Sequence, residues 1–93
     1  MIRSFADRET ERIWGGGRSR RLPTDIQAAA LRKLRVLNRV ARLDQLRAPP
    51  GNRLEALRGD RAGQHSIRIN DQWRICFRWR DEGAEDVEIC DYH

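Results

Sequence analysis

The chain has 93 residues, 39% apolar and 35% charged, so one domain with a thin core is expected and a large internal cofactor cavity is not. Its net charge of +5 is unevenly spread: residues 1–80 hold all 19 basic and 8 acidic groups, and residues 81–93 hold 6 acidic groups and no basic one. No apolar run approaches the roughly 20 residues of a membrane span, and Met1-Ile2-Arg3-Ser4-Phe5 lacks the apolar core of a signal peptide.

A cytoplasmic chain with reduced Cys76 and Cys90 is therefore expected. Eighteen of the basic residues are arginine, whose planar fork of donors suits phosphate. A polyanionic partner such as nucleic acid is one reading of that charge, and an arginine-rich solvated surface is the other.

In chain order, Ile2 to Phe5 fits a short strand and Asp7 to Trp14 two helical turns. Gly15-Gly16-Gly17 lacks the spacing and the following Lys-Ser/Thr of a phosphate loop and is a connector. Thr24-Asp25-Ile26-Gln27 fits a capping box. Ile26, Ala30, Leu34, Leu37 and Ala41 then form one apolar stripe, with Arg32, Arg35, Arg39 and Arg42 nearly opposite. Leu43 and Leu46 break the phase and suggest a separate turn, closed by Pro49-Pro50-Gly51.

The period then changes to two. Leu54 to Arg58 is a strand candidate followed by a Gly59-Asp60-Arg61 turn. His65–Asn70, Trp73–Arg80 and Asp86–Tyr92 alternate as strands, with Asp81 to Glu85 as a turn. Pairing Trp79 with Val87 and Phe77 with Ile89 also sets Arg80 against Asp86 and Arg78 against Glu88, a favourable charge match. That register places Cys76 across from Cys90 and Arg74 across from Tyr92, and Ile69 then meets Ile75. Ile67, Ile69, Ile75, Phe77, Trp79, Val87 and Ile89 would pack under the helices, leaving Ser66, Arg68, Asn70, Arg74, Cys76, Arg78, Glu88, Cys90 and Tyr92 on an open face. The expected fold is α+β, a single domain over 1–93 with two N-terminal helices on one face of a small, mainly antiparallel twisted sheet.

The polar end of that sheet collects Arg74, Asn70, Asp91, Tyr92 and His93, with Arg58 and Arg61 from the preceding strand and turn. RNA is cut without a metal when its own 2′-OH attacks the adjacent phosphate. Such a step needs a base, an acid and positive charge for the phosphorane. Carboxylate, imidazole and guanidinium groups fill those roles. The two histidines and two cysteines lack metal-ligand spacing, and no cofactor is implied.

Three ordered motifs carry a family resemblance: Asn52-Arg53-Leu54-Glu55-Ala56-Leu57-Arg58-Gly59-Asp60-Arg61, then Ser66-Ile67-Arg68-Ile69-Asn70-Asp71-Gln72-Trp73-Arg74-Ile75-Cys76-Phe77, and the terminal Asp91-Tyr92-His93. With the connector Gly17 to Pro23, they resemble the HigB-type toxins of the RelE/ParE superfamily along essentially the whole chain. The resemblance implies an mRNA interferase acting on the ribosome and neutralised by a helix-turn-helix, HigA-like antitoxin. It carries over Asp91, Tyr92 and His93 as active-site candidates, Arg74 as phosphate-stabilising, Arg58 as a basic family position and Arg68 as a substrate contact. The chain departs from some members in having Glu55 where they place a catalytic histidine, and in having His65 where an aromatic is expected. A ParE-like inhibitor of a protein target such as DNA gyrase, and a non-catalytic RNA-binding module, are the competing functions. The terminal Asp-Tyr-His triplet argues against a pure binder.

Overall fold

The computed structural model describes residues 1–91. Helix α1 (Arg8–Trp14) buries Thr10 and Ile13 and ends in the glycine run, where Gly16 takes φ +89°. Helix α2 (Thr24–Arg39) buries Ile26, Ala30, Leu34 and Leu37, the stripe that its periodicity predicts. The helix stops at Arg39 and Val40 is extended, so Ala41 leaves the stripe.

The expected capping box does not form. Pro23 occupies the N-cap position without a side-chain cap. Gln27 instead ties down the connector: its Oε1 accepts from Ser19 N at 3.0 Å, and its Nε2 donates to Ser19 O at 2.8 Å and Leu22 O at 2.9 Å.

Two 3₁₀ turns, Leu43–Arg47 and Pro50–Asn52, lead to strand β1 (Glu55–Ala56), shorter than the predicted Leu54–Arg58. A third turn, Gly59–Arg61, precedes β2 (His65–Arg68), β3 (Trp73–Arg80) and β4 (Gly83–Asp91). The sheet is antiparallel throughout, in the order β1-β2-β3-β4. The N-terminal segment adds to the outer edge of β4 through parallel bridges of Ile2 with Ala84 and Phe5 with Val87. The α+β architecture with both helices on one face is as expected.

The register differs from expectation by two residues in β2–β3 and in β3–β4 as far as Cys76, and by three beyond it, where Trp79 pairs with Ala84 rather than Val87 and Arg80 with Gly83 rather than Asp86. Ile75 pairs with Ile89 and with Ile67, Arg74 with Cys90 and with Arg68, and Cys76 with Glu88. The β3–β4 turn is the reason. Asp81 and Glu82 take φ +50° and +62° and close a two-residue turn, where a five-residue turn was expected. A bulge near Asp86 (φ +52°) then absorbs one residue opposite the step between Cys76 and Arg78. A slip of two preserves face parity, so Ile67, Ile75, Phe77 and Ile89 still meet α1 and α2 in the core with Val87, whereas beyond the bulge the parity of β4 inverts and Ala84, across from Trp79, turns inward. Thr10 Oγ1 adds a directed contact, accepting from Ile89 N at 2.9 Å.

Candidate active site

The sheet face away from the helices is not open as the alternation suggested. Residues 53–63 fold back across it, and Ser66, Arg74, Cys76 and Cys90 lie buried there. Leu57 packs on Cys76 and Cys90, and Leu57 N donates to Gln64 O at 2.9 Å, continuing the β1–β2 pairing. Gly63, at φ +89°, lets Arg78 come close: a Cβ there would lie 2.9 Å from Arg78 Nη1.

Arg74 is the centre of this layer, with only 7% of its surface exposed. Its Nε donates to Ser66 Oγ at 2.7 Å, and its Nη2 donates to Arg53 O at 2.5 Å and Ser66 O at 3.4 Å. Its Nη1 lies 3.9 Å from Glu55 Oε1, on the exposed strand β1. A guanidinium so held is oriented rather than mobile, and a carboxylate beside it is close enough to share a phosphate-sized ligand.

Other candidates are placed around it. Arg68 stands directly across β2–β3 from Arg74, on the same face, and its Nη2 is bonded to Asp71. Arg58 is exposed and caps the Gly59–Arg61 turn. Arg61 is engaged internally, its Nη1 donating to Gln64 Oε1 at 3.0 Å and Glu88 Oε1 at 3.2 Å, and the Glu88 bond raises its pKa. Asn70 shapes the β2–β3 loop, its Oδ1 accepting from Gln72 N at 2.9 Å and Trp73 N at 2.8 Å. Asp91 pairs with Trp73, so it has the parity of the helix-covered face, and its Oδ2 accepts from Gln72 Nε2 at 3.0 Å. Arg74, Arg68 and Glu55 therefore share a face, with Asp91 on the neighbouring strand at the same end of the sheet. Tyr92 and His93 lie outside the described residues, and the expected Arg74–Tyr92 pairing is replaced by Arg74 with Cys90.

Cys76 and Cys90 are free thiols. The observed register makes them diagonal rather than opposite neighbours. A hydrogen bond with Cys76, together with burial, pushes the Cys90 thiol up.

Four residues of this layer are absent from the sequence-based candidates. Ser66 anchors Arg74 from the adjacent strand, and Arg53 does so through its carbonyl. Asn52, the residue before Arg53, is buried, and its Oδ1 accepts from Lys33 Nζ on α2. The signals were faint: a small hydroxyl residue between apolar strand positions, and a single lysine among 18 arginines.

Comparison with known proteins completes the picture. Residues 3–93 match the family described as RelE-like toxin of type II toxin-antitoxin system HigB. Toxin HigB-1 of Vibrio cholerae is 40% identical over 82 residues, spanning 87% of this chain and 86% of that protein. A Haemophilus influenzae protein is 29% identical over 69 residues, or 74% of this chain and 68% of that one. In fold, the chain is similar to one in the YoeB-YefM complex from Staphylococcus aureus, with a TM-score of 0.61, 15% identity and coverage of 100% and 98% of the two chains.

Proposed function

This chain belongs to the HigB family of RelE-like type II toxins, and from that premise we propose that it is an endoribonuclease that cuts mRNA on the ribosome. The reaction is a metal-free transphosphorylation. The substrate 2′-OH loses its proton to a base and attacks the adjacent phosphorus. The P–O5′ bond breaks as an acid delivers a proton to the leaving oxygen. Arg74 stabilises the phosphorane charge. Glu55, Asp91, Tyr92 and His93 are the acid–base candidates, and Arg58, Arg61, Arg68 and Asn70 contact the RNA. A helix-turn-helix antitoxin of HigA type neutralises the protein in the cytoplasm.

The observation that carries this reading is the buried, oriented Arg74 guanidinium with the Glu55 carboxylate 3.9 Å away and Asp91 on the neighbouring strand at the same end of the sheet. A purely structural arginine could be replaced by apolar packing, whereas a fixed cation beside an exposed carboxylate suits a phosphodiester. Primer extension on mRNA from cells expressing the protein tests it. Cuts in phase with codons, absent when ribosomes are withheld in vitro, are expected. Growth arrest with intact mRNA would overturn the nuclease reading and favour a ParE-like inhibitor of a protein target.

A further inference from the structure

Of the two described side-chain and backbone anchors of Arg74, one is rigid by construction and one is not. Ser66 lies within β2 and is fixed by pairing on both sides. Arg53 lies in irregular chain, with an exposed side chain and a left-handed backbone at φ +44°, ψ +58°. Yet its carbonyl oxygen sits 2.5 Å from Arg74 Nη2. The orientation of that peptide needs an explanation, and the preceding residue supplies it.

Asn52 is fully buried. Its Nδ2 donates to Leu46 O and to Ala48 O, both at 3.2 Å, and its Oδ1 accepts from the Lys33 ammonium on α2. Asn52 N also donates to Pro49 O at 3.0 Å and Arg53 N to Pro50 O at 3.1 Å, which tightens the turn. One amide thus closes the loop on itself and ties it to the helix. Among the described residues, the polar partner of Lys33 is this neutral amide rather than a carboxylate. A charged donor in a partly buried site makes the bond stronger than a neutral one.

We propose that Lys33 and Asn52 are positioning residues for the Arg74 guanidinium, acting through the Arg53 carbonyl. This rests on the nuclease reading above. The line runs from α2 through Lys33 to Asn52, to the Arg53 peptide, and so to Arg74. Neither residue touches the substrate. Without the Lys33 bond the turn keeps its own hydrogen bonds but loses its tie to α2, so the Arg53 carbonyl shifts and carries the guanidinium fork off the phosphate. Misplacement of about 1 Å in a reacting constellation lowers the rate by up to about 10²-fold.

The test uses the full chain in single-turnover cleavage on mRNA-programmed ribosomes, together with NMR of the buried, hydrogen-bonded Arg74 Nε–H. Lys33→Ala is expected to lower the maximal rate at least about tenfold, with the half-saturating ribosome concentration unchanged. Lys33→Arg, which keeps a charged donor, should recover most of the rate. In an Arg74→Lys background, Lys33→Ala should add little further loss, because the two act as one unit. The Arg74 Nε–H resonance should move in Lys33→Ala and return in Lys33→Arg. If Lys33→Ala only lowers the unfolding midpoint, cleaves at the wild-type rate per folded molecule and leaves the Nε–H resonance in place, the pair is merely structural. If wild type itself cleaves nothing, the nuclease reading falls, and the Arg74 resonance alone decides whether Lys33 positions the guanidinium. Should Lys33→Ala fail to fold, Lys33→Gln, with a shorter neutral donor, answers through the same rate and resonance.

Discussion

On the helix side of the sheet, Ile67, Ile75, Phe77, Val87 and Ile89 meet Ile13, Leu34 and Leu37 in a continuous apolar core. On the other side, Ser66, Arg74, Cys76 and Cys90 are buried beneath a segment with only two strand residues. The first layer is held by area removed from water, at about 25 cal/mol per Å2, which is non-directional and tolerates swaps of similar volume. The second has a small apolar patch of Leu57, Cys76 and Cys90 but is tied chiefly by directed bonds, at whose centre Arg74 holds Ser66 and the Arg53 carbonyl, each of which loses its mate if Arg74 is removed. The contrast separates a layer that stabilises from a layer that also orients.

The largest effect is expected where that contrast is broken at its centre. Arg74→Ala should lower single-turnover cleavage about 10²–10³-fold. It should also reduce stability by about 1–3 kcal/mol, because Ser66 Oγ and Arg53 O lose a buried donor. Urea unfolding measured beside cleavage separates the two losses. A folded Arg74→Ala protein that still cleaves would remove Arg74 from the site.

Leu34→Ala sharpens the comparison from the other side. Leu34 is fully buried in the helix stripe, so truncation should lower stability by about 3 kcal/mol. Cleavage per folded molecule should hardly change. A rate loss matching that of Arg74→Ala would show that the two layers are not separable.

His65 opens β2 between Ala56 and Phe77, stacked on Phe77 with ring centroids 6.3 Å apart, and its buried Nδ1 has no hydrogen-bond partner among the described residues. Burial lowers its pKa from 6.5. The unfolded chain therefore takes up the proton more readily, so the contribution of neutral His65 is fully present above about pH 6.5 and is lost as pH falls through the depressed folded value. His65→Phe should raise stability by about 1 kcal/mol by removing the unpaired nitrogen, and should flatten the acid-side slope below pH 6.5. Unfolding midpoints from pH 5 to 8 check both, and an unchanged slope would assign the acid loss to other groups.

The smallest effects belong to the exposed helix surface. Arg32, Arg35 and Arg39 are solvent-facing on α2. Single glutamine substitutions should leave the fold and the chemical step intact. If this face meets RNA phosphates, each should reduce the slope of log affinity against log salt by about 1 in ribosome binding. A slope identical to wild type for all three would make it an ordinary solvated face.

Much of this was written in local pattern. The stripe Ile26-Ala30-Leu34-Leu37 set α2 and its buried side, because helical period is local. Strand alternation determined that Arg74, Arg68 and Ser66 share one face and Ile67, Ile75 and Phe77 the other, and a slip of two residues could not change that. Motif order along the chain sufficed to identify the family. Register was not local: it depended on Asp81 and Glu82 accepting left-handed backbone without the usual glycine or asparagine, and on a bulge at Asp86. The cover over Arg74 was decided only in three dimensions. Residues 53–63 carry little regular structure of their own. Their place follows from bonds between residues far apart in sequence, Lys33 to Asn52, Arg53 to Arg74 and Arg61 to Glu88, that no window of neighbouring residues contains.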